Sequence, residues 1–82
     1  MTKSLYTKMS KLYKVQYEIS NEDKPHPHAR YYHALNSQTA VEMFKATCEE
    51  SLQGYQVCIE EVDRLEDEGT DHCHWEQVKL EN

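Results

Sequence analysis

Apolar and polar residues alternate strictly along residues 12–20, where Tyr13, Val15, Tyr17 and Ile19 are interleaved with Lys14, Gln16 and Glu18. A period of two sends successive side chains to opposite faces, and it predicts a half-buried β-strand. Residues 29–35 repeat the pattern, with Tyr31, His33 and Leu35 on one face and Tyr32 and Ala34 on the other. The period then changes. Ala40, Met43, Phe44, Thr47, Cys48, Ser51 and Leu52 recur at helical spacing over 36–53, with Val41 at the border and Glu42, Lys45, Glu49 and Gln53 opposite. Asn36 is placed to accept from the free amides of the first turn, and Gly54 stands where a left-handed residue ends a helix. Alternation returns over 55–62 through Val57 and Ile59.

Residues 75–80 predict a further strand with Val78 and Leu80 inward, and burial of the single Trp, Trp75, favours docking of this tail. The elements define an α+β fold. It is a two-layer, three- or four-stranded, mostly antiparallel sheet covered on one face by a single helix, in the order β-β-α-β with a C-terminal strand. This module uses nearly all the apolar residues, so residues 12–82 read as a single domain. Met9 reads as an alternative start, and residues 1–11 read as an N-terminal extension.

One helix cannot cover both faces of a sheet. The tyrosines at positions 6, 13, 17, 31, 32 and 55 are numerous for so small a core, and several are expected on the uncovered face, where an amphipathic ring tolerates water and binds well. Between the first two strands, residues 21–28 contain Pro25 and Pro27, which remove backbone donors and require a loop.

Charge changes the picture in one respect. The net charge is −6, but residues 1–30 hold six Lys/Arg against three acids, whereas residues 31–82 hold three against twelve. Seven acids lie within residues 60–71, which read as a solvated loop or strand edge. Three cysteines with no secretory signal fit free thiols in a reducing cytoplasm. Cys48 and Cys58 read as small core hydrophobes. No stretch is long and apolar enough to span a membrane.

Four of the five histidines form His-x-His pairs, His26 with His28 and His72 with His74. In extended chain each pair presents two imidazoles to one side, so convergence would make a four-nitrogen site for zinc or a similar metal. Cys73, between the second pair, would point away. Neither Cys-x-x-Cys pairs nor a glycine-rich phosphate loop is present. With no oxyanion arrangement and no acid–base set, the sequence points away from an enzyme and away from a required cofactor. Lys8, Lys11 and Lys14 with Tyr6 and Tyr13 resemble a stacking platform, yet the acidic remainder repels a nucleic-acid backbone.

The expectation is a non-catalytic acidic interaction module that binds a protein partner or a second copy of itself. Tyr17, Tyr31 and His33 would provide the sheet-face contacts, and Glu60, Glu61 and Asp63 would steer a basic partner. The alternatives are metal binding through His26, His28, His72 and His74, or acidic mimicry of a nucleic-acid backbone.

Overall fold

The computed structural model describes residues 10–24 and 26–80, so the tyrosine at position 6 and most of the expected N-terminal extension lie outside the described residues. The element order is β1 (Lys11–Ile19), β2 (His28–Ala34), α1 (Ser37–Ser51), β3 (Val57–Glu66) and β4 (His74–Val78). The four strands form one antiparallel sheet in the order β2-β1-β3-β4. The expected α+β architecture, with one helix on one sheet face and a C-terminal strand, is therefore present.

The strand order follows from the crossover. Chain leaves β2, passes through α1 over the first strand, and returns as β3 on the far side of β1. The β1 strand ends up central and its apolar face lies under the helix. Tyr13, Val15, Tyr17 and Ile19 are all buried there, together with Ala34, Ala40, Phe44 and Val62. The helix begins as its sequence dictates: Asn36 Oδ1 accepts from the Thr39 amide at 2.8 Å. It ends at Leu52, whose amide donates to the Cys48 carbonyl, and Gly54 follows in the left-handed region with φ +86°. A hydroxyl relay fastens the helix to the sheet, since Tyr32 donates to Thr47 Oγ1 at 2.9 Å and Thr47 donates to the Met43 carbonyl at 3.0 Å.

Three expectations are corrected. Three of the five described tyrosines do not lie on the open face: Tyr13, Tyr17 and Tyr32 point toward the helix. The physical reason is that a two-layer core is shallow. A tyrosine ring fills it while its hydroxyl emerges at the rim, as when Tyr17 accepts from Arg30 Nε at 3.3 Å. Met43 is exposed, because the helix is turned to bury Ala40 and Phe44 with Val41, Cys48 and Leu52 beside them. Cys58 is exposed, opposite Glu18 on the outer face, whereas Cys48 packs against the core and its thiol pKa is pushed up by desolvation.

The acidic run is also different from a simple loop. Glu60, Glu61, Asp63 and Glu66 belong to β3, which is hydrogen-bonded on both sides, and only the turn beyond Glu66 is loop. A bulge makes this possible. Between Gln16 and Tyr17 of β1 the register slips so that β3 carries one extra residue, and both Glu60 and Glu61 fall between the inward-facing Ile59 and Val62. Without that extra residue, one half of β3 would turn its apolar positions outward.

Candidate interaction face

The sheet face away from α1 is built mainly from the even-numbered positions of β1 and their neighbours. Lys14 lies between Tyr31 of β2 and Asp63 of β3, Gln16 pairs with Glu61, and Glu18 pairs with Cys58. The bulge adds Glu60 beside Glu18. The centre of this face thus holds four carboxylates against one ammonium.

Aromatic side chains from the two edge strands meet across this centre. Tyr31 of β2 and Trp75 of β4 approach with ring centroids 6.0 Å apart, and Lys14 Nζ sits 4.8 Å from the Trp75 ring. Their strands are three spacings apart, about 14 Å at the usual inter-strand distance, so both rings lean inward. Beside them Asp63 is only 4% exposed, and it accepts from Gln16 Nε2 at 2.7 Å. The same amide reaches Glu61 Oε2 at 3.4 Å. One neutral donor is thus shared by two carboxylates.

The electrostatics reflect this. The hydrogen bond between Glu61 and Asp63 raises the Glu61 pKa above 4.5, with desolvation and the Asp63 charge adding to it. Glu60 is raised for the same reasons by Glu18. At the opposite end of the strand, hydrogen bonds from Lys11 and Arg64 hold Glu66 below 4.5. The two kinds of carboxylate have opposite pH signatures. For Glu60 and Glu61 the folded state holds more protons than the unfolded state between 4.5 and their raised values, so stability rises as pH falls through that window. For Glu66 the stabilisation is present above 4.5 and is lost as pH falls through its depressed value. Replacing both Glu60 and Glu61 by Gln is therefore expected to raise the melting temperature at neutral pH. Thermal unfolding followed across the acid range should show this gain fading as the pH approaches 4.5.

Of the expected contact residues, Tyr31, His33, Glu60 and Glu61 lie on the outer face, with Asp63 buried at its floor. Tyr17 does not. It is 4% exposed beneath the helix and is a core residue, because the odd positions of β1 all face inward. Lys14, Gln16 and Glu18, which the period of two sets on one face of β1, join this face, and so does Trp75, which nothing in its local sequence groups with them. Their proximity depends on strand order and register.

The histidine pairs do not converge. His28 pairs with Tyr17 at one end of the sheet, whereas His74 pairs with Glu66, whose carboxylate binds Lys11 at the other end. Six residues of β1 separate those levels, roughly 20 Å of extended chain, and the pairs also lie on opposite edges of the sheet. The four-imidazole site is thereby overturned. His74 Nδ1 instead lies 2.6 Å from the His72 carbonyl, and Cys73 is exposed in the turn beside them.

No helix among the described residues is long and apolar enough to cross a membrane. Comparison with protein-family models, with curated proteins and with solved structures returned no match.

Proposed function

We propose that the protein is a non-catalytic interaction module whose open sheet face binds a basic, arginine-bearing segment of a protein partner. The observation that carries this reading is the row of four carboxylates along the open face, with Asp63 and Glu61 beside Lys14 and the Tyr31–Trp75 pair and with Glu60 and Glu18 further along the strands. Lys14 already illustrates the mode of recognition, a cation held over the Trp75 ring with carboxylates beside it. A guanidinium suits such a place better than an ammonium, since it stacks on an aromatic face and offers paired donors to a carboxylate. An arriving arginine would relieve the repulsion between Glu61 and Asp63 and between Glu60 and Glu18. The free thiols Cys48, Cys58 and Cys73 support an encounter in the cytoplasm.

Calorimetric titration of the protein with an arginine-rich peptide tests the proposal. One saturable site is expected, weakened by salt and accompanied by a change in Trp75 emission. Glu61→Lys should abolish it, and the helix-surface variant Glu49→Lys should leave it intact. Equal loss in the two variants would reveal attraction by overall charge alone and defeat the proposal. Absence of binding, or concentration-dependent self-association that buries Trp75 in its place, would also count against it.

A further inference from the structure

The loop that follows β1 brings a second group of chemistry-bearing residues together, away from the open face. Glu22, His26 and His28 each offer one ligand atom, and those three atoms lie within 4.8 Å of one another. His28 Nε2 is 3.1 Å from Glu22 Oε1, and His26 Nδ1 is 3.8 Å from the same oxygen. Two donors bound to one tetrahedral zinc ion at the usual bond lengths stand about 3.3 Å apart. The observed separations bracket that value.

Two of the donors are held by the fold. His28 opens β2, and its ring stacks on Tyr17 with centroids 5.1 Å apart, while Tyr17 in turn packs on Phe44 of the core. Glu22 is positioned by a turn whose amide reaches the Ile19 carbonyl. The preceding residue is tied to the helix–β3 connection, because Asn21 donates to the Gly54 carbonyl and accepts from the Gln56 amide. The third donor is the adjustable one. The His26 side chain is 62% exposed, against 19% for Glu22 and 22% for His28. Its ring already lies 4.2 Å from that of His28, with Pro27 limiting the chain between them.

We infer that Glu22, His26 and His28 form a three-donor site for a borderline divalent cation, with zinc as the best match to two imidazoles and one carboxylate. The cation takes the place of the contact between His28 Nε2 and Glu22, and it draws His26 Nδ1 away from the Lys24 carbonyl, which now lies 3.1 Å from it. The exposure of His26 leaves a fourth coordination position open to water or to another ligand. Nothing in this site depends on the open sheet face, which lies on the other side of the molecule from the ring of His28.

Titration of the full chain with zinc chloride in a non-coordinating buffer tests the inference. Binding of one ion is expected, weakened at least tenfold by Glu22→Gln and by His26→Ala, and unchanged when His72, Cys73 and His74 are all replaced by alanine. His28→Ala removes a ring that stacks on the core, so the first two variants carry the test and circular dichroism confirms that they are folded. Zinc should also perturb the ring resonances of His26 and His28 and spare those of His72 and His74. Failure to bind zinc, or binding abolished only by the His72, Cys73 and His74 replacements, would overturn the inference.

Discussion

Phe44→Ala is expected to destabilise the protein by about 3–5 kcal/mol, the usual cost of removing a buried phenyl ring and leaving part of its cavity behind. Phe44 is 1% exposed and, with Val15 and Val62, is among the largest side chains fully enclosed by the fold. Its ring packs on the aromatic layer of β1, with its centroid 4.8 Å from that of Tyr17. For a chain of 82 residues the total stability is on the order of 4–12 kcal/mol, so the substitution removes a large part of it. Few other side chains are available to refill the space, since Ala40 and Ala34 are small and Met43 points to solvent. Urea denaturation should show a midpoint shifted strongly downward, or a chain unfolded before denaturant is added. A shift comparable with that of an exposed-site control such as Met43→Ala would mean that α1 is not held by Phe44.

Trp75→Ala is expected to weaken binding of an arginine-rich peptide by roughly 30-fold or more, the effect of removing a central aromatic anchor worth about 2 kcal/mol. The residue sits on an edge strand and is 37% exposed, so its removal leaves the core beneath α1 untouched. What it removes is the surface on which a cation rests and the partner against which Tyr31 leans. Trp75→Tyr should recover part of the affinity, because a smaller ring retains the attraction for a cation. Calorimetry reads both variants, and their melting curves separate loss of the contact from loss of the fold. Unchanged affinity in Trp75→Ala would remove the aromatic pair from the account.

The features legible in the sequence were the local ones. Alternation from Tyr13 to Ile19 defines β1, Asn36 and Gly54 bracket the helix, and the tail around Trp75 reads as β4, although the indole expected to be buried there stays exposed. Each of these depends on neighbours along the chain. The face chosen by the helix did not follow from them, because tyrosines at odd positions of β1 serve either an open face or a shallow core. The bulge left a trace in the spacing of Val57, Ile59 and Val62, which is two and then three residues. Read strictly by alternation, that trace is lost, and the acidic run reads as a solvated loop or strand edge. The meeting of Tyr31 with Trp75 left no trace at all, since it requires β1 and β3 to lie between their strands. Glu22 was equally silent, becoming a neighbour of His28 only when the loop folds back on β2. The histidine pairs showed the reverse failure. Their repetition was conspicuous in sequence, but the topology sends them to opposite ends of the sheet.

The most direct test of the central claim is an amide and indole NMR titration of the protein with the arginine-rich peptide. The account predicts shifts concentrated at Lys14, Gln16, Tyr31, Glu61, Asp63 and the indole N–H of Trp75, with Glu42 and Glu49 on the helix unmoved. Shifts largest on the helix or in the acidic turn after Glu66, or no shifts at all, would contradict it.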